Sequence, residues 1–252
     1  MTRRLAEPWQ FAKLRIGLRC TVRRRLCFRK HATQPARSVL GQDLSSRLRH
    51  AHERITLEPS IQSQETSLAN FGKISSALKN RAKRIKVVLM DVDGTMTDGG
   101  VTLLSQSDGT ALEIKTFDAH DGQGLTLAHT AGLRTGCITG RESAALLRRA
   151  REMKMEFIYM KQPLKMPAYE EILEKCGVPD SAVAYIGDDL PDIPLLRRAG
   201  LAIAVGDAVP EVKRAAHYTT KAFAGHGAVR EAIELVLRSK DIWESMIDKA
   251  RA

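Results

Sequence analysis

From Ile85 onward, short apolar runs bounded by Gly and Asp alternate with stretches in which apolar residues recur at helical spacing. Residues 85–90 (IKVVLM) predict a strand buried on both faces, because VVLM is a continuous apolar run rather than an alternating one. Further strands are predicted at 133–138, 157–160, 182–186 (AVAYI), 201–205 and 217–220, with helices over 122–131, 142–153, 166–176, 209–215 and 227–238. Strands that alternate with helices in this way form βαβ units. The pattern therefore predicts an α/β fold built on a doubly wound parallel sheet, Rossmann-like in outline. Residues 99–117 break the alternation: VTLLS and LEIKTF, on either side of Ser107-Asp108-Gly109, predict a β-hairpin that projects beyond the sheet as a flap. No internal repeat is present.

Residues 1–84 hold no hydrophobic period for more than two turns and read as a mostly disordered extension. The expected organisation is thus an extension at 1–84, a folded domain at 85–240 and a short tail at 241–252. Charge sharpens this division. The net charge of +11 divides unevenly, with 19 Lys and Arg against 5 Asp and Glu in residues 1–84, and 21 against 24 in the remainder. The basic balance belongs to the extension alone. An organelle presequence, a nucleic-acid-binding arm and a stretch preceding the true start all fit its basicity, but it is long, poor in Ser near its start and carries no nucleic-acid-binding module. No nucleic-acid partner is expected. Cys20, Cys27, Cys137 and Cys176 show neither metal-site spacing nor the density of a disulfide framework, and no run approaches the roughly 18 apolar residues of a membrane span. A soluble, cytoplasmic protein with reduced thiols and no membrane partner is expected.

Candidate chemistry falls where the ligands of an open parallel sheet gather, at the C-terminal ends of its strands. Asp91 and Asp93 follow the first predicted strand, Thr139 the second, Lys165 lies beyond the third, and Asp188, Asp189 and Asp192 follow the fourth. Phosphoryl transfer needs a nucleophile, a proton donor and positive charge for the phosphate oxygens. Two residues apart in a tight turn, Asp91 and Asp93 can supply the first two. Thr139 and Lys165 can supply the hydroxyl and the cation. Crowded carboxylates call for a hard cation between them, and Mg²⁺ takes few carboxylates plus phosphate oxygen and water. Asp91 and Asp188, with the backbone carbonyl of Asp93, are its expected ligands. Each motif alone is weak, but their joint presence in this order is specific.

These residues resemble the four motifs of the haloacid dehalogenase superfamily, over a match running from about Ile85 to Arg238. The resemblance implies Asp91 as nucleophile and Asp93 as general acid/base in VVLMDVDGT, and Thr139 as the phosphoryl-binding hydroxyl in CITGR. It makes Lys165 the stabilising cation and Asp188 the metal ligand in GDDLPD, with Asp189 and Asp192 supporting. The second acid at position 93 is typical of the superfamily's phosphatases rather than its dehalogenases. With 48 residues from Asp91 to Thr139 and 26 from Thr139 to Lys165, there is room for the hairpin but not for an inserted cap domain.

The hairpin, FDAHDGQGL, YIGDDLPDIPLL and GHGAVRE are similar to capless members that hydrolyse phosphorylated sugar acids as homotetramers. In those members hairpins pack together and a glycine-rich C-terminal segment reaches a neighbouring site. That likeness implies substrate contacts from Gly140, Arg141 and His226 besides Thr139 and Lys165. It implies 3-deoxy-D-manno-octulosonate 8-phosphate as substrate, in lipopolysaccharide precursor synthesis, ahead of a nonulosonate 9-phosphate. His120 and His226 stand where the resembled pattern has Arg, and Pro163-Leu164 where it has Ser-Asp. A non-catalytic scaffold that binds an anionic partner through its basic arm is the reading from a different class.

Overall fold

The computed structural model describes residues 74–251, so the disorder, presequence and nucleic-acid-arm expectations for residues 1–73 lie outside the described residues. In chain order the elements are α1 (Ser76–Lys83), β1 (Val87–Met90), β2 (Thr102–Ser105), β3 (Ala111–Ile114), α2 (Ala119–Thr130), β4 (Arg134–Ile138), α3 (Ala144–Glu152), β5 (Phe157–Tyr159) and α4 (Met166–Cys176). They continue as β6 (Val183–Gly187), α5 (Ile193–Arg198), β7 (Leu201–Ala204), α6 (Pro210–Ala215), β8 (Tyr218–Thr219), α7 (Ala228–Ser239) and α8 (Trp243–Arg251).

Six strands form one sheet in the order β5-β4-β1-β6-β7-β8, and every neighbouring pair is parallel. This is the α/β doubly wound sheet that the apolar pattern predicts. β1, β6 and β7 are buried along their whole length, as strands with helices on both faces must be. The chain leaves β1 for β4 and β5 on one side, then returns to β6 on the other. That reversal puts a switch point beside β1, where the loops after β1, β4 and β6 diverge and leave a crevice.

β2 and β3 pair antiparallel in a sheet of their own, which is the predicted flap. Leu104 stands opposite Leu112 and Thr102 opposite Ile114, whereas Leu103 stands opposite Glu113. Directly paired residues share a face. The flap therefore presents Leu104, Leu112 and Ile114 on one face and Leu103, Glu113 and the following Lys115 on the other. No cap domain is inserted: only the flap and α2 separate β1 from β4, and only α3 and β5 separate β4 from Lys165.

The folded unit begins earlier than the expected boundary at residue 84. α1 starts at Ser76, capped by the Ser75 hydroxyl, which accepts from the Leu78 amide at 3.2 Å. Ala82 and Ile85 are fully buried, and Arg81 Nη1 donates to the Gly200 carbonyl at 2.9 Å. The sequence hides this helix because Ser76–Lys83 has only Leu78 and two alanines to signal a face. The expected tail at 241–252 likewise contains α8, with Trp243 and Met246 buried. The Trp243 ring lies 5.2 Å from the Arg230 guanidinium and 4.4 Å from that of Arg238.

Candidate active site

The turn after β1 closes tightly on itself, with the amides of Thr95, Met96 and Thr97 all donating to the Val92 carbonyl at 3.2, 2.9 and 3.1 Å. Gly94 makes this possible. Its φ is +88°, and a Cβ there would lie 2.1 Å from Asp188 Oδ2. Asp91, at the head of the turn, donates its amide to the Ile186 carbonyl at 3.0 Å and so is pinned to the end of β6.

Asp192 organises the acids. It is completely buried; its Oδ1 accepts from Lys165 Nζ at 2.6 Å and the Tyr185 hydroxyl at 2.8 Å, and its Oδ2 from the Asp188 and Asp189 amides at 3.1 and 3.3 Å. Gly187 leaves it room, since a Cβ there would lie 2.6 Å from Asp192 Cβ. Four accepted hydrogen bonds use the lone pairs of that carboxylate. Oxygens of Asp91, Asp188 and Asp192 all lie within 4.8 Å of one another. With Asp192 committed, Asp91 and Asp188 are the pair free to hold a cation.

Lys165 Nζ bridges Asp192 and Asp91, reaching Asp91 Oδ1 at 2.8 Å. Burial opposes its charge, but Asp192 and Asp91 outweigh burial and hold the amine above its ordinary pKa. Asp91 is pushed up to about 6, chiefly by burial, with Lys165 opposing and the Asp192 charge adding. Asp188 is pushed up to about 7 by burial, against the hydrogen bond it accepts from Thr95 Oγ1 at 2.9 Å, with Asp91 and Asp192 raising it further. Two neighbouring carboxylates whose charged forms are disfavoured by burial and by nearby acids are a donor set that suits a hard divalent ion. The acids present thus fit the metal that the sequence implies.

Thr139, at the end of β4, is buried and donates its amide to the Tyr159 carbonyl at 2.9 Å, while its hydroxyl accepts from the Arg141 amide at 3.4 Å. Asp91, Asp93, Thr139, Gly140, Arg141, Lys165, Asp188, Asp189 and Asp192 line one cleft, together with Gln162, Pro163 and Pro191. His226 is not among the lining residues. Its amide donates to the Phe223 carbonyl at 3.0 Å, and the adjacent Gly225 packs on the backbone of Thr97 and Asp98 of the same chain. His120 is exposed, with Nδ1 3.2 Å from Asp118 Oδ1.

Two residues at the cleft escape the sequence motifs. Lys115, whose side chain is only 2 % exposed, donates from Nζ to Asp93 Oδ1 and lies 3.6 Å from Glu113 Oε1. Glu113 in turn accepts from Arg141 Nη2 at 2.9 Å and from the Ser143 hydroxyl. Their spacing, two apart along the flap, puts both on one face but does not show that this face turns toward Asp93.

Comparison with known proteins places this geometry among relatives. The family described as haloacid dehalogenase-like hydrolase matches residues 142–233. The chain is 37% identical over 171 residues to the 3-deoxy-D-manno-octulosonate 8-phosphate phosphatase of Yersinia pestis, covering 68% of this chain and 89% of that protein. A crystal structure of the phosphatase of that name from Moraxella catarrhalis, in complex with magnesium, phosphate and KDO, is similar with a TM-score of 0.65. Its identity is 37%, over 70% of this chain and 99% of that one. The cobalt-bound deoxy-D-mannose-octulosonate 8-phosphate phosphatase of Haemophilus influenzae is 31% identical with a TM-score of 0.60, over 65% of this chain and 95% of that one.

Proposed function

The chain belongs to the haloacid dehalogenase-like hydrolases as a phosphatase, and on that premise we propose that it hydrolyses 3-deoxy-D-manno-octulosonate 8-phosphate to the free sugar acid and phosphate. The observation that carries the reading is Lys165 bridging Asp91 and Asp192, with Asp93, Thr139 and Asp188 lining the same cleft. In this reading an Asp91 oxygen attacks phosphorus while the bond to the sugar oxygen breaks and Asp93 gives that oxygen its proton. The aspartyl-phosphate so formed is attacked by a water whose proton Asp93 takes back, freeing phosphate and restoring Asp91. Lys165 and the Thr139 hydroxyl face the oxygens on which charge develops. Asp91, Asp188 and the Asp93 carbonyl would hold Mg²⁺, which when bound supplies further charge neutralisation. Asp189 and Asp192 hold the loop that presents Asp188, and Gly140 and Arg141 border the phosphoryl position.

A homotetramer in the cytoplasm completes the reading, with the flap in the interface. It is supported by the apolar face of Leu104, Leu112 and Ile114, which nothing covers among the described residues. No helix among those residues is long and apolar enough to cross a membrane. The deciding experiment measures phosphate release from a panel that includes 3-deoxy-D-manno-octulosonate 8-phosphate and a nonulosonate 9-phosphate, with Mg²⁺ and after chelation. The highest kcat/KM is expected on the octulosonate, and loss of turnover on chelation. Preference for the nonulosonate would reassign the substrate. No release from any sugar-acid phosphate would overturn the substrate class.

A further inference from the structure

The flap is exposed along nearly its whole length, yet the residue that leaves it is among the least exposed charges at the cleft. Lys115 Nζ hydrogen-bonds Asp93 Oδ1, and Glu113 stands beside it with Oε1 3.6 Å away. Glu113 is fixed from the other side by Arg141 Nη2 at 2.9 Å and by the Ser143 hydroxyl. Ser143 is itself the N-cap of α3, accepting from the Leu146 amide at 3.1 Å. Arg141 Nε approaches the second oxygen of Asp93 at 4.0 Å. A continuous clamp thus runs from the end of α3 through Glu113 and Lys115 to a single carboxylate.

Asp93 needs such a clamp because its turn leaves it partly exposed, and among the described residues no other side-chain hydrogen bond fixes its rotamer. The neighbouring acids are held differently: Asp91 by Lys165, Asp188 by Thr95, and Asp192 by four donors. A carboxylate that gives a proton to a departing oxygen must point at that oxygen, and small errors of placement cost large factors in rate.

We propose that Lys115 is a positioning residue for leaving-group protonation, orienting the Asp93 carboxylate from the flap. The inference rests on the phosphatase reading above. The flap then does more than cover the cleft. It supplies the contact that aims the proton donor, and Glu113 holds that contact in register.

A merely structural lysine and a positioning one differ in how the loss depends on the leaving group. A primary alkoxide needs a proton as the P–O bond breaks, whereas p-nitrophenolate leaves without one. The quantity to read is kcat/KM, which reports the steps through formation of the aspartyl-phosphate and excludes its later hydrolysis. For Lys115→Met, kcat/KM on 3-deoxy-D-manno-octulosonate 8-phosphate is expected to fall on the order of tenfold to a hundredfold, part of what a general acid contributes. On p-nitrophenyl phosphate it should stay within about threefold of wild type, a leaving group that draws little on general-acid assistance. Lys115→Arg should recover most of the loss. If Lys115→Met does not fold, Glu113→Gln, which loosens the same clamp from outside the cleft, should show the same leaving-group dependence at smaller size. Equal losses on both substrates, in whichever variant folds, overturn the inference while leaving the phosphatase reading intact. Failure of the wild type to release phosphate from either substrate overturns both.

Discussion

β1 and the flap strands are short and apolar alike, yet Val87, Val88, Leu89 and Met90 are buried whereas Leu103, Leu104, Leu112 and Ile114 are each about half exposed. β1 lies at the centre of a sheet covered by helices, and each aliphatic side chain it buries contributes on the order of 1.5–3 kcal/mol. The flap has no such cover among the described residues, and an isolated two-stranded hairpin is marginal. Its fixed points are instead charges, Glu113 and Lys115, that reach back to the cleft. The site therefore combines a sheet edge held by burial with a flap held by ion pairs. Disturbing the first should end chemistry without ending the fold, and disturbing the second should weaken chemistry without touching the core.

The largest effect belongs to the buried edge. Asp91→Asn should lower turnover by more than about a hundredfold, because an amide cannot attack phosphorus. The melting temperature should hold, because the turn tolerates Asn and one buried charge is removed. Phosphate release and thermal denaturation of the same preparation check both halves. A variant keeping more than about a hundredth of the rate would remove Asp91 from the nucleophile's role, since that exceeds what a displaced accessory acid leaves behind.

On the flap, the register decides which residues to change. Leu103 and Ile114 look equivalent in the sequence but fall on opposite faces, so the outward face is tested by Leu104→Glu with Ile114→Glu. The pair should yield species smaller than a tetramer by light scattering and turnover lower by roughly tenfold, because a wetter cleft weakens its electrostatics. A wild type that scatters as an active monomer would show that the apolar face has no partner.

The same contrast explains what could be seen in the sequence. β1, β6 and β7 announced themselves because central parallel strands are continuous apolar runs, and Asp91 and Asp188 were legible because they follow such runs. α1 and α5 were not legible, since IPLLRR and SALKNRAK are too short to establish a helical period. Lys115 and Glu113 were invisible for a different reason. Their role depends on how the flap folds back onto Asp93 and Arg141, a tertiary relation that spacing along the chain does not encode. Tyr185 was hidden in the same way, reading as one apolar residue of a buried strand while its hydroxyl serves Asp192.

A smaller effect should appear at a buried acid outside the cleft. Asp121, near the start of α2, accepts from the Arg230 amide at 2.7 Å through Oδ1, while its buried Oδ2 has no hydrogen-bond partner among the described residues. Burial, only partly offset by that hydrogen bond, pushes it up to about 6. Between the ordinary carboxylate range and pH 6 the folded chain holds this proton and the unfolded chain does not. Its contribution to stability is therefore greatest near pH 4 and is lost as pH rises through 6, by at most about 3 kcal/mol. Asp121→Asn should flatten the stability profile between pH 4 and 7 relative to wild type, as read by denaturant titration at several pH values. Parallel profiles would mean that Asp121 carries no such proton.

The smallest effect locates where burial begins. Residues 1–84 read from the sequence as a mostly disordered extension, but α1 begins at Ser76, so truncations before and within that helix should behave differently. Removing residues 1–73 should leave melting temperature and turnover unchanged, because the helix, its Ser75 cap and Leu78 all remain. Removing residues 1–80 takes the cap, worth about 1 kcal/mol, along with the partly buried Leu78 and the Lys79–Asp241 ion pair. It leaves Ala82 and Ile85 to be held by the sheet alone. A drop of a few degrees is expected for the longer deletion, with little change in kcat, because α1 packs on α7, remote from the cleft. Equal melting temperatures for the two truncations would show that α1 adds nothing to the domain. A loss of activity in the shorter one would show that the basic extension takes part in the folded enzyme.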